Sequence, residues 1–292
     1  MNVAHLPEDL APARRAVALG TFDGVHRGHR RVIEAAQASH LRSTVVTFDP
    51  HPRTILGNRV ELLTTIERRL ELIADLGVDD TLVLRFDETL AALAPEAFAE
   101  TVLRAAGAEV LAAGDGFRFG RRRSGDLDLL RSLGFDVRRV PLVGDISSSH
   151  IRRLLAAGDV GAAARLLGRP AEIEGTVVLG DQRGGTLGFP TANLAVPAEV
   201  LVPAYGIYAG AALGHRAAVS IGTNPHYGGT ERRVEAFLLD YEGGSLYGRR
   251  LVVELWERLR DEEVFESEVE LVAAIDEDVR RTRAAQRPET RR

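Results

Sequence analysis

Apolar and polar positions alternate on two different scales along this chain, and the change falls near residue 170. In the first half, compact apolar runs occupy Arg15–Leu19, Ser43–Phe48, Thr81–Phe86, Glu109–Ala113 and Asp136–Pro141. Between them the apolar period lengthens to that of a helix, at Arg30–Ser39, Thr65–Leu76, Pro95–Ala106 and Asp126–Leu133. Strands that alternate with helices predict an α/β domain with a mostly parallel sheet covered on both faces. Three hydroxyls, Ser147–Ser149, then precede a helical Ile151–Leu155, and a second short helix at Val160–Leu167 stops at Gly168-Arg169-Pro170. The boundary is placed there, giving domains 1–169 and 170–292. Beyond it, short runs rich in Val, Thr, Ile and Tyr (Glu174–Leu179, Tyr208–Leu213, Arg216–Ile221, Val234–Asp240, Arg250–Trp256) are broken by Gly, Pro and Asn. That texture predicts a small antiparallel β-barrel. Glu268–Arg283 reads as a C-terminal helix with Val269, Val272 and Ile275 on one face, followed by a polar, frayed tail.

Composition narrows the chemistry. The 292 residues are 45% hydrophobic and 27% charged, an ordinary globular balance with length for two domains. The net charge of −5 argues against a general nucleic-acid binder. No apolar run is long enough to span a bilayer, and Met1–Arg14 lacks the basic start and apolar core of a secretory signal. No nucleic-acid or membrane partner is expected, and a cytoplasmic location is. Cysteine is absent, which excludes disulfides, thiol nucleophiles and cysteine-based zinc sites. Lysine is absent too: all 37 basic residues are arginine. No Schiff base can form, and any ATP chemistry must do without a P-loop lysine.

The first chemical cluster is Gly20-Thr21-Phe22-Asp23-Gly24-Val25-His26-Arg27-Gly28-His29, between the first strand and the first helix. Ligands of parallel sheets bind outside the carboxyl ends of the strands. A glycine-rich turn into a helix start offers backbone N–H groups and the positive end of the helix dipole to anions. His26 and His29 add imidazole donors to that mouth. The competing reading is that one histidine caps the helix and the other packs. Asp49-Pro50-His51-Pro52 ends the second strand, and His51 either reaches the same crevice or shapes the turn. Arg121-Arg122-Arg123 after Gly116-Phe117-Arg118-Phe119-Gly120 is either a phosphate contact or a solvated loop.

The second cluster is Gly188-Phe189-Pro190-Thr191-Ala192-Asn193. Pro190 favours extended geometry, in which Thr191 and Asn193 point to one side. A hydroxyl and an amide carbonyl two residues apart are hard oxygen donors suited to Mg²⁺; the alternative is a polar turn. The glycine-rich Gly180–Gly185 loop is a phosphate loop or a hairpin. In Val234–Tyr241, alternation places Glu235 on the face of Phe237, Leu239 and Tyr241. An acid on an apolar face is costly unless paired or functional, while a wet edge strand is the bland alternative.

Taken in order, GTFDGVHRGH, TFDPHP, FRFG…SGD, ISSSHIR, LLGRP, LGFPTAN, Ile221–Pro225 and VEAFLLDY make the chain, from about Ala16 to Arg283, resemble the bacterial bifunctional riboflavin kinase/FMN adenylyltransferase (FAD synthetase) family. The resemblance implies a Rossmann-like nucleotidyltransferase domain followed by a riboflavin kinase barrel. The first domain would adenylylate FMN with ATP, releasing pyrophosphate; the second would phosphorylate riboflavin. By resemblance, His26 and His29 hold ATP phosphates, with Gly20, Phe22 and Asp23 in the same segment. Ser148 and Arg152 match the family's ISSTxIR phosphate-binding stretch, with Ser149 where Thr is usual. Thr191 and Asn193 match the PTAN motif that binds Mg²⁺ and ATP phosphates, and Glu235 matches the catalytic base facing the riboflavin 5′-hydroxyl. Asp115 and Phe117 fall at the flavin of the adenylyltransferase site. One departure stands out: the family has Asp or Asn immediately before Phe-x-Phe-Gly, and this chain has Gly116, with the acid at Asp115. The alternative it raises is a riboflavin kinase whose N-terminal domain is impaired or structural. Phe237, where the family often has His, is a lesser change.

Overall fold

The computed structural model describes residues 1–141, 144–180, 189–223 and 232–289. The chain forms two compact units, Met1–Ser148 and Ser149–Arg292.

The first unit is built on six strands: β1 (Asn2–Ala4), β2 (Arg15–Leu19), β3 (Arg42–Asp49), β4 (Asp80–Arg85), β5 (Ala108–Gly114) and β6 (Asp136–Val140). They pair in parallel in the order β1-β4-β3-β2-β5-β6. Helices α1 (Arg27–Gln37), α2 (Pro52–Ile55), α3 (Ile66–Ala74), α4 (Glu88–Ala92), α5 (Pro95–Phe98) and α6 (Leu127–Ser132) connect them. All five residues of β2 are buried. Its alternation splits them between two cores: Val17 and Leu19 join Val46, Leu82, Phe98 and Leu111 on one face, and Ala16 and Ala18 join Ile33, Ile73 and Val110 on the other. A parallel sheet covered on both faces needs apolar residues at every position, which is why these strands read as runs rather than as alternation.

The longer strands and helices follow the hydrophobic pattern; it does not predict the short helices α2 and α4, and two further differences stand out. β1 is only three residues long and leaves no periodic signal. The helical stretch expected over Pro95–Ala106 starts as α5 and continues with a wider, π-type winding over Ala99–Arg104.

At the amino end of the sheet a charge cluster is buried. Arg15 and Asp80 are both almost inaccessible; Asp80 Oδ2 lies 3.4 Å from Arg15 Nη2 and 2.5 Å from Arg42 Nε. Arg15 also donates to the carbonyls of Ala13 and Ala106.

The second unit begins with α7 (Ser148–Ala156), whose first residue still belongs to the first unit, and α8 (Val160–Leu167), which packs on β7 and β12. Strands β7 (Ala171–Val178), β8 (Ala192–Ala195), β9 (Gly206–Ala212), β10 (His215–Thr223), β11 (Arg232–Leu238) and β12 (Arg250–Arg260) close an antiparallel barrel in the order β10-β11-β8-β7-β12-β9. Ile173, Tyr208, Val219, Ile221, Ala236 and Val253 are among the side chains that fill it.

The C-terminal helix α9 spans Glu268–Ala284, as the apolar spacing predicts to within a residue. Of the three apolar residues, Val272 and Ile275 are half-buried while Val269, in the first turn, is 79% exposed, and the fully buried residues of α9 are Asp278 and Thr282. Polar contacts add to that half-buried apolar face in seating this helix. Arg260 grips Asp278 at 2.7 to 3.2 Å, and Arg216 donates to the carbonyls of Thr282 and Ala285.

Removing one partner of a buried ion pair strands the other charge. Asp80→Ala should therefore cost about 3–5 kcal/mol in the first unit's stability, read as a lowered urea midpoint of its unfolding transition. A midpoint unchanged within error would show that the cluster is solvated.

Candidate active sites

The first site forms where β2 ends. After Leu19 the chain enters a tight turn with positive φ at Phe22 (50°), Gly24 (82°) and Val25 (38°). Left-handed conformations are costly for non-glycine residues and persist only where surroundings impose them. The surroundings here are visible. At Gly24 the φ of 82° favours glycine, and a Cβ there would lie 2.7 Å from Leu63 Cδ1, so any other residue would be strained and would displace that side chain. Asp23 is fully buried, and its Oδ1 accepts the N–H groups of Leu63 (2.9 Å) and Thr64 (3.2 Å). Its carbonyl accepts the hydroxyl of Ser148 at 3.0 Å. The Asp23 carboxylate thus faces inward and braces the turn, rather than projecting toward a phosphate.

His26 is the N-cap of α1: its Nδ1 accepts the backbone N–H of His29 at 3.2 Å. A nitrogen that accepts carries no proton, so the neutral ring holds its proton on Nε2. The two imidazoles stack with centroids 3.5 Å apart and planes 15° apart, and the Phe22 ring meets His29 edge-on at 5.3 Å. Gly28 makes the stack possible, because a Cβ there would lie 3.1 Å from His26 Cε1. Capping and packing are therefore both real, and they place the two rings together at the positive end of α1. His51 caps α2 in the same way, its Nδ1 accepting from Arg53 N–H at 3.2 Å, so it shapes its own turn.

Ser148 reaches this turn through Asp23, and Arg152 lies one helical turn further along α7. Past β5, Asp115 and Gly116 are exposed and Phe117 is half-buried, its ring stacked 5.9 Å from that of Phe119. A Cβ at Gly116 would meet nothing within 4 Å, so this position accepts a side chain.

The second site lies on the barrel. β8 and β11 pair so that Asn193 stands opposite Glu235, and the Thr191 hydroxyl donates to Glu235 Oε2 at 3.1 Å. Thr191, which immediately precedes β8, and Asn193 of β8 thus both stand beside Glu235 of β11. The Asn193 amide lies against Gly180, where a Cβ would come within 2.3 Å of its nitrogen. Glu235 does share a face with Phe237, as alternation requires, and the Phe189 ring meets Phe237 edge-on at 5.5 Å. That face is the half-buried one; Val234, Ala236 and Leu238 fill the barrel. β11 ends at Leu238 and Asp240 turns with φ 58°, so Leu239 and Tyr241 leave the alternation. Residues 181–185 of the glycine-rich loop, Leu187 and Gly188 of the Thr191 motif, and Asn224 and Pro225 lie outside the described residues.

Among the described residues no three His, Asp or Glu side chains gather to hold a metal ion. The oxygens of Thr191, Asn193 and Glu235 are a sparser set of hard donors. That suits an ion that keeps most of its shell as water and phosphate.

Sequence reasoning missed the bracing role of Asp23 and the Asn193–Gly180 contact. The partners of Asp23 lie 40 residues away, and no local pattern marks them.

Two family models match, one for FAD synthetase over residues 9–152 and one for riboflavin kinase over residues 167–286. A nucleotide-handling α/β unit and a flavin kinase barrel are thereby the classes of the two halves. Bifunctional riboflavin kinase/FMN adenylyltransferases match along nearly all of it. That of Listeria monocytogenes is 35% identical, covering 92% of each chain; that of Escherichia coli K12 is 36% identical, covering 95% of this chain and 93% of its own. The chain belongs to the bifunctional riboflavin kinase/FMN adenylyltransferase family. A crystal structure described as a macrolide-efflux protein from Streptococcus pneumoniae has the same fold, with a TM-score of 0.85 and 30% identity over 96% of this chain and 98% of that one. In the present chain no helix among the described residues is long and apolar enough to cross a membrane.

Because His26 closes the first turn of α1, His26→Ala should cost about 0.5–2 kcal/mol of stability, whereas His26→Asn keeps a capping oxygen and should cost less. Thermal unfolding of the two variants checks the order. Equal losses would mean that the ring's packing, not its cap, carries the effect.

Proposed function

We propose that this protein makes FAD from riboflavin in two ATP-dependent steps, one in each half of the chain. The division of labour falls at 1–169 and 170–292. In the second half, the riboflavin 5′-hydroxyl attacks the γ-phosphorus of ATP, ADP leaves and FMN forms. In the first, a phosphate oxygen of FMN attacks the α-phosphorus of a second ATP and pyrophosphate leaves. The observation that carries the reading is the meeting of Thr191 and Asn193, at the start of β8, with Glu235 on its partner β11.

Phosphoryl transfer depends on positioning and charge stabilisation more than on covalent chemistry. Glu235 accepts the hydrogen bond of the attacking hydroxyl, and takes its proton as the new P–O bond forms. Its contact with Thr191 and its register with Asn193 keep that carboxylate beside the nucleotide phosphates. Thr191 Oγ1 and Asn193 Oδ1 are the donors that would hold Mg²⁺, which supplies charge neutralisation to those phosphates.

In the first half no proton need leave the nucleophile, because an FMN phosphate oxygen is already anionic. The work is charge stabilisation. His26, with its proton on Nε2, and His29 donate to ATP phosphate oxygens at the amino end of α1. Gly20 and Phe22 shape the turn, Asp23 braces it, and Ser148 and Arg152 bind phosphate from the start of α7. Asp115 and Phe117 contact the flavin of the adenylyltransferase site. A cytoplasmic location is part of the same proposal.

A riboflavin kinase with a silent N-terminal half is the lesser reading. Only Gly116 favours it, and both family models and the named relatives favour two activities.

Asn193→Ala should abolish FMN formation from riboflavin while leaving FAD formation from supplied FMN. His26→Asn should do the reverse. Chromatography of reactions with riboflavin or FMN, ATP and Mg²⁺ separates the two. Kinase turnover in Asn193→Ala would overturn the Mg²⁺ assignment. Gly116→Asn should change FAD output by no more than about fivefold, since an exposed contact contributes about 0.2–1 kcal/mol and about 1.4 kcal/mol is tenfold. A sharp rise would instead support the silent-domain reading.

A further inference from the structure

We infer that Arg121, Arg122 and Arg123 form a rigid basic tip that gathers the phosphate dianion of FMN toward the first site. The inference rests on the adenylyltransferase reading of the first half.

The tip belongs to the loop that leaves the carboxyl end of β5. β5 is the parallel neighbour of β2, with Ala18 beside Ala112. The loops that follow these strands, Gly20–His26 and Asp115–Gly125, therefore leave the same rim of the sheet side by side. The base of the arginine loop is stapled shut. Phe119 and Gly125 exchange both backbone hydrogen bonds (3.1 and 2.9 Å), and Arg118 pairs with Asp126 at 2.8 Å. The Phe119 ring packs near Phe98, and at Gly120 and Gly125 a Cβ would strike Pro95 at 2.7 Å. The tip itself is pinned by Arg121 N–H to the carbonyl of Leu93 (2.7 Å).

What this scaffold presents is charge. Arg121, Arg122 and Arg123 are exposed, and among the described residues none of their guanidinium groups meets a carboxylate. Arg118, at the base, is neutralised by Asp126, so the surplus sits at the end of the loop. Arg122 and Arg123 both hold positive φ (54° and 60°), a conformation that disfavours non-glycine residues and persists here on a pinned loop.

The charge matters because the rest of the protein opposes it. With a net charge of −5, the molecule repels FMN and ATP at long range. A concentrated basic patch at the rim reverses the local field and raises the encounter rate of an anion by about 10- to 1000-fold at low salt. Riboflavin carries no phosphate and needs no such help.

The test compares the full-length protein with the triple variant Arg121→Gln/Arg122→Gln/Arg123→Gln. At low ionic strength the variant should show about a tenfold lower kcat/KM for FMN adenylylation with kcat unchanged, and an unchanged KM for riboflavin. The gap should close near 1 M salt, where the screening length is about 3 Å. Lysine at the three positions should restore the wild-type value, because steering needs charge and not a guanidinium fork. A gap that persists at high salt, a fall in kcat alone, or no gap at all would overturn the proposal. A raised KM for ATP with FMN unaffected would overturn the choice of ligand. Stopped-flow quenching of FMN fluorescence reads association without turnover. If the wild type forms no FAD, the adenylyltransferase reading falls, while equal association rates in the two proteins would still sink the basic tip.

Discussion

The Asp23 carboxylate, buried beneath the turn that follows β2, is the constraint on which the first site depends. Taking an anion out of water is expensive unless hydrogen bonds replace the lost hydration. Here the N–H groups of Leu63 and Thr64 do so. The return is a turn with two non-glycine residues in the left-handed region. That turn delivers His26 to the amino end of α1, where its ring closes the helix and lies on His29. One buried interaction thus sets the backbone, the backbone sets the cap, and the cap fixes which imidazole nitrogen carries the proton.

The barrel reaches its site by another route. No buried charge is needed, because strand register does the positioning. β8 contributes only four residues, yet its pairing with β11 sets Asn193 opposite Glu235 and leaves Thr191 within hydrogen-bonding reach. A shift of one residue in that register would turn Glu235 into the barrel in place of Val234 or Ala236. The packing of those two side chains therefore guards the chemistry on the other face.

Much of this was legible in the sequence, for physical reasons that can be named. A parallel sheet buried on both faces writes itself as apolar runs, so β2 to β6 stand out. The barrel strands stand out by their β-branched content and the turns between them. The His26–His29 turn is readable because glycine spacing and helix onset coincide. What stayed hidden depends on distance or on brevity. β1 is too short to show a period, β8 reads only as an extended stretch, and the inward facing of Asp23 is decided by residues 40 positions away. Glu235 was legible for a partly mistaken reason. It shares a face with Phe237, but that face is half-exposed, and the burial that makes an acid conspicuous lies on the other side.

The closed barrel has no free strand edge, so the open edges of backbone among the described strands are those of β1 and β6 in the parallel sheet. Exposed edges are templates for joining another chain's sheet, and both are blunted. β1 offers three residues, too few for a stable ladder. β6 carries Asp136, Arg138 and Arg139 within five residues, with Arg138 bonded to the carbonyl of Ala35 and Arg139 paired with Asp128. An incoming strand would have to desolvate and displace those charges. The sheet that holds the nucleotide turn is thereby protected from edge-to-edge association at both of its margins.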